Sequence, residues 1–296
     1  MMVVVFLCSM QPRRFAIVAA MMLSAGALLQ AQSHQAYVLY NSSGHRTHFK
    51  KMMHRLKGAD VILFGEFHDN AIAHWLQLEV ARALADAGPL VLGAEMVERD
   101  DQATLDSYLH GAIDQAAFDT LARLWKNHTS DYKPLVDLAK ERHFPFVASN
   151  VPRRYARAVS RGGFEALDTV PAAERQWIAP LPIPFDPELP RYRHMLSMMG
   201  DHGTPDVVKA QALKDATMAH SIARNFRQGS RFIHFNGSFH SDFFEGINWY
   251  LEHYAPQLKR ITISTVTQAD AGRLESGHKG QADFILVVDE DIPGTY

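Results

Sequence analysis

The sequence predicts an α/β fold: a mostly parallel central sheet flanked by helices, with a helical insert covering the carboxyl ends of the strands. Two observations predict it. Short runs rich in β-branched and aromatic residues alternate with amphipathic helical patterns, and one long stretch, about 151–229, holds no strand-like run. Continuous apolar runs of strand length suit strands covered on both faces, and strand–helix alternation builds parallel units joined by crossover helices.

At the N-terminus, Arg13 and Arg14 precede "FAIVAAMMLSAGALL", 15 residues from Phe15 to Leu29. A membrane span needs roughly 20 residues. A basic pair, a shorter apolar core and small residues up to Ala31 follow the order of an export signal. Residues 1–31 are therefore expected to be a removed signal peptide, and 32–296 a single domain in the periplasm or cell envelope. Met10 is an alternative start.

Six strands are expected: "ADVILFG" (59–65), "PLVLGAEM" (89–96), "FPFVASN" (144–150), "SRFIHFNG" (230–237), "RITIST" (260–265) and "DFILVVD" (283–289). After Asp69 or Asn70 as a cap, Ile72, Leu76, Val80, Ala83, Leu84 and Ala87 form one helical stripe, ended by Gly88-Pro89. Inside the insert, "APLPIPFDPELP" reads as an extended crossing segment. A helix then starts at Pro190 and stops at Gly200, with Tyr192, Met195, Leu196 and Met199 on one face. A longer one runs from Pro205 to about Arg227, capped by Thr204. Gln211 and Asp215 lie on its apolar stripe, where a buried carboxylate needs a partner.

Composition narrows the chemistry. A formal net charge of −2 gives no basic field for nucleic acid. Cys8, the single cysteine, lies in the expected signal, so any metal or haem iron must be held by His, carboxylate, Tyr or Met. Histidine is plentiful, at 16 residues, and is the commonest metal-binding side chain.

Polar residues gather where strands end. "LFGEFH" sets down Glu66 and His68, "LGAEM" sets down Glu95, and "FNGSFH" sets down Ser238 and His240. Ligands of open parallel α/β sheets bind beyond the carboxyl ends of the strands, so these residues are expected to rim one pocket. Helices are expected to begin just after both histidines, near Asp69 and Ser241, with free N–H groups facing an anion.

The two Gly-x-x-His units with Glu95 between them resemble the signature of the Tiki superfamily, which includes Tiki peptidases, TraB-type proteins and erythromycin esterases. Within it, "ADVILFGEFHDNAIAHWLQLE", "ASNVPR", "QALKDATMA" and "FNGSFHSDFFEGINWYL" are most similar to ChaN-type haem-binding uptake proteins, over roughly residues 37–290. The resemblance implies haem as cofactor, a role in iron uptake at the bacterial envelope, and a tyrosine ligand. An outer-membrane haem receptor or transporter and a homodimer are the partners it suggests. Family members are often lipoproteins; this chain departs there, because Cys8 precedes the basic pair.

Tyr192 is the expected iron ligand, since tyrosinate can bind ferric haem and its face carries Met195 and Met199. Tyr132 and Tyr155 are weaker candidates. Arg153, Arg191, Arg193, His194 and His202 are candidates for the haem propionates. The alternative is a metal-dependent hydrolase in which Glu66, His68, Glu95 and His240 hold Mn, Co or Zn, or act as acid and base.

Overall fold

The computed structural model describes residues 35–200 and 203–296; the expected signal peptide and His202 lie outside the described residues. Residues Ala36–Tyr296 form one compact unit. Its eight strands are β1 (Tyr37–Asn41), β2 (Arg46–Thr47), β3 (Val61–Glu66), β4 (Leu90–Glu98), β5 (Phe146–Asn150), β6 (Arg231–Gly237), β7 (Arg260–Gln268) and β8 (Phe284–Asp289). They make one sheet in the order β2-β1-β8-β7-β3-β6-β4-β5. Every pairing from β8 across to β5 is parallel; β1 runs antiparallel to both β8 and β2. All six expected strands are present. The antiparallel edge was not read from the sequence.

Helices α1 (Phe49–Leu56), α2 (Ala71–Ala85), α3 (Gln102–Leu109), α4 (Gln115–Leu121) and α5 (Lys133–Arg142) precede the insert. The insert supplies α6 (Arg153–Gly162), α7 (Pro190–Met199) and α8 (Pro205–Asn225), and α9 (Ile247–Tyr254) follows β6. The local signals act as expected. The Asn70 side chain accepts the Ala73 N–H at the start of α2, and Thr204 accepts the Val207 N–H at the start of α8. Pro190 occupies the first turn of α7.

Side chains alternate across the strands, so the sheet packs a large core on each face, with a third, smaller cluster around Tyr40, Ile285 and Val287 near the β1–β8 edge. Ile62, Phe64, Leu92, Phe235 and Ile263 pack under α1–α5. Val61, Leu63, Val91 and Phe232 pack under α6, α8 and α9. Each fully buried Phe or Leu contributes about 1.5–3 kcal/mol relative to exposure. The insert thus has two roles. Helix α8 is a face layer, whereas α7 supplies the cover over the strand ends. Among the described residues, no helix is long and apolar enough to cross a membrane.

Candidate functional site

Parallel strands β3, β4, β5, β6 and β7 all deliver their carboxyl ends to one side, and a cavity of about 1070 Å³ opens there. Its floor is built from the two Gly-x-x-His units. Gly65 lets β3 approach the segment after β6, since a Cβ there would stand 2.8 Å from the Ser238 Cα. A Cβ on Gly237 would stand 3.0 Å from the His68 ring. The glycines are what permit both units to occupy one floor.

His68 is partly open. Its Nδ1 lies 2.9 Å from Glu66 Oε1, its ring packs edge-on against Trp125, and its Nε2 bonds to no described residue. Glu66 is fully buried and accepts from Gln77 on α2 (2.5 Å) and from the Tyr132 hydroxyl (2.7 Å). The turn His128–Tyr132 is wound as a π-helix, a form enriched at functional sites. Burial lowers the proton affinity of His68, but the Glu66 hydrogen bond and the Glu95 and Glu66 charges outweigh it and raise the pKa.

His240 is sealed. Its Nδ1 lies 2.5 Å from Asp215 Oδ1 and its Nε2 lies 3.2 Å from Glu95 Oε1. Burial alone would lower its pKa; the two carboxylates reverse this and push it up to about 10. Burial likewise raises the Glu95 carboxyl, yet the charges of His240, His68 and Lys214 hold it well below the usual carboxylate range. Glu95 Oε2 also accepts the Gly237 N–H at 2.8 Å. Asp215 is pushed up by burial, against the lowering pull of His240 and Tyr192.

The pocket therefore brings together Glu66, His68, Glu95 and His240, as well as Arg153, His194 and Met195. It does not arrange the first four around an ion. Among the described residues, no group of three or more His, Cys, Asp or Glu side chains is placed to hold a metal. The expectation of Mn, Co or Zn is corrected on that point, because three of the four ring nitrogens face carboxylates of the protein itself.

Tyr192 also requires correction. It is 1 % exposed, off the pocket wall, and its hydroxyl donates to Asp215 Oδ2 at 2.9 Å. Burial and the Asp215 charge raise its pKa well above that of a free phenol, which opposes phenolate formation. Met199 is off the wall as well. The pocket face of α7 is instead Arg191, His194, Met195 and Met198, spaced i, i+3, i+4, i+7. Tyr132 is buried behind Glu66, and Tyr155 is off the wall. Tyr296 is the tyrosine that does line the cavity. The second expected helix is displaced too: α9 begins at Ile247, after a turn in which Phe243 and Phe244 have φ of 58° and 62°.

Sequence reasoning singled out Asp215 as a carboxylate in need of a partner, and the partners are His240 and Tyr192. Gln77 was not foreseen behind Glu66, and Tyr132, expected only as a weaker ligand candidate, is instead a hydrogen-bond donor to that carboxylate. A polar Gln at the core-facing position of α2 was the available signal.

A family model described as "Haem-binding uptake, Tiki superfamily, ChaN" matches residues 52–251. Among solved structures, the fold is similar to that in "Cofacial heme binding to ChaN of Campylobacter jejuni", at 17% identity and a TM-score of 0.66, covering 86% of this chain and 98% of that one. A Bacillus cereus protein is similar at 10% identity and a TM-score of 0.46, covering 81% of this chain and 90% of that one. The type III effector HopBA1 is similar at 12% identity and a TM-score of 0.44, covering 81% and 92%. Comparison with curated proteins finds no match.

Proposed function

The chain belongs to the ChaN family of haem-binding uptake proteins in the Tiki superfamily, and from that membership we propose that it binds haem in the cavity at the carboxyl ends of its strands. The cavity itself supports this reading most directly. Phe67, Trp125, Met195, Met198 and Phe239 give it apolar surfaces for a porphyrin, and Arg153, Arg191 and Lys214 give it cations for propionates. His68, His194 and Tyr296 stand on the wall as groups able to meet iron. With Tyr192 buried, these three replace it as ligand candidates. Bound haem would supply the iron centre; the protein's residues would seat, orient and shield it.

Export to the periplasm and delivery of haem through an outer-membrane receptor or transporter are the role this reading carries, given the basic pair and short apolar run before Ala31. A homodimer is part of the same reading. Phe67, Met198, Phe243 and Tyr296 are exposed apolar side chains on the cavity lining, and the Campylobacter jejuni relative binds heme cofacially.

Titration of the purified protein with haemin, followed by absorption and by light scattering, tests both parts. A saturable shift of the haem absorption band with stoichiometric binding is expected, together with a twofold rise in mass. Unaltered haemin spectra at several-fold protein excess would overturn the reading.

A further inference from the structure

Two half-buried arginines show opposite uses of the same side chain. Arg99 spends its donors inside the protein: it bonds to Ser221 Oγ, the Ile178 and Thr217 carbonyls and His220 Nδ1. That arginine ties the insert to β4. Arg191 spends none. Its backbone N–H is taken by Glu245, but its side chain bonds to no described residue, and its buried Nε lacks a partner. Buried donors are normally satisfied, so an unspent guanidinium on a cavity wall calls for a ligand.

What holds Arg191 in place leaves its donors free. Its guanidinium carbon lies 4.0 Å from the centroid of the Phe239 ring and 5.5 Å from that of Phe243. Ring faces attract a cation without consuming N–H groups. Phe243 reaches this position through a turn in which it and Phe244 both take left-handed backbone angles, which bulky residues rarely adopt. The nearest carboxylate does not satisfy the arginine. Asp242 Oδ2 is 3.7 Å away, beyond hydrogen-bond reach. Its oxygens already accept from Ser264 Oγ at 2.6 Å and from Gln281 Nε2 at 2.9 Å.

The other cations on the wall are differently placed. Arg153 is 63% exposed and 3.9 Å from Glu98, and Lys214 acts on Glu95. Arg191 alone is stacked, and it shares the α7 face with His194, Met195 and Met198.

We propose that Arg191 is a carboxylate anchor of the cavity: its stacked guanidinium fork receives a carboxylate at the edge of an amphiphilic ligand whose apolar body covers Met195 and Met198. The identity of that ligand rests on the haem reading, in which the carboxylate is a propionate. A bidentate arginine–carboxylate pair fixes orientation as well as affinity.

Haemin and its dimethyl ester separate the anchor from the haem reading. The ester keeps the porphyrin and iron and removes both negative charges. Wild-type protein is expected to bind haemin at least about 10-fold more tightly than the ester, the order expected of a charge-assisted hydrogen bond. Arg191→Gln is expected to weaken haemin about 10-fold and leave the ester unchanged, with Arg191→Lys between. Equal weakening of both ligands by Arg191→Gln, or no preference in wild type, would overturn the anchor and leave haem binding standing. Failure of both ligands to bind wild type would overturn the anchor and the haem reading together.

Discussion

His68 and His240 come from the same four-residue pattern, and the fold treats them in opposite ways. His240 has 7% of its side chain exposed and both ring nitrogens against carboxylates; His68 has 33% exposed and one nitrogen committed. The difference lies in what packs above them. Helix α8 packs against β5 and β4 and brings Asp215 onto His240. Among the described residues no second carboxylate is brought onto His68, whose partner Glu66 lies below it on its own strand and whose ring meets Trp125. A repeated motif is thus not a repeated role: one copy is a fixed charge in the floor, the other an imidazole presented to the cavity.

The largest effect that would break this comparison is at His240. His240→Ala leaves Glu95 and Asp215 buried without their shared cation, and breaking a buried pair of this kind typically costs about 3–5 kcal/mol. Denaturant unfolding measures it. A loss below 1 kcal/mol would mean that the floor is not held together by that charge.

The pH dependence sharpens the same point. The His240 pKa is raised in the folded protein, from 6.5 to about 10. Its contribution is therefore complete below pH 6.5 and is lost as pH rises through about 10. Asp215, also raised, works in the same direction, because the folded state again holds the proton more tightly. Stability is expected to fall steadily between pH 6.5 and 10, by on the order of a few kcal/mol, and is read as a falling melting temperature. His240→Ala should remove most of that slope, and His68→Ala, whose pKa is raised as well, should reduce it less.

Tyr192→Phe removes one hydrogen bond to a buried carboxylate while keeping the ring, so a cost of about 1–2 kcal/mol is expected, with the haemin spectrum unchanged. A changed spectrum would restore Tyr192 as a ligand and contradict its position in the core. The smallest stability effect is expected at His68→Ala, about 1 kcal/mol, because Glu66 retains Gln77 and Tyr132. If His68 meets haem, this variant changes the spectrum more than the stability, the reverse of His240→Ala.

Helix α7 shows how far the sequence could be read. Its start at Pro190, its stop at Gly200 and its helical period were all legible, because caps and periodicity are local. The choice of stripe was not. Two stripes run along this helix, one through Tyr192 and one through Arg191, His194 and Met198. Methionine suits either a core or a ligand surface. Only the position of α8 decides which stripe is covered. The antiparallel edge was hidden for a related reason. Strand β1 is five residues long and its register is set by β8, more than two hundred residues away. Glu66, His68, Glu95 and His240 were legible as one floor because parallel topology alone sends those strand ends to one side.

The hydrogen-bonded line from Tyr192 through Asp215 to His240 joins a helix that forms the cavity wall to a group that stores a proton. A ligand that shifts α7 by a fraction of an ångström therefore also alters proton affinity in the floor, without touching it. By reciprocity, the acidity of the surroundings then sets how tightly that ligand is held. Proton release or uptake would then accompany ligand binding, visible as a buffer-dependent heat in titration calorimetry.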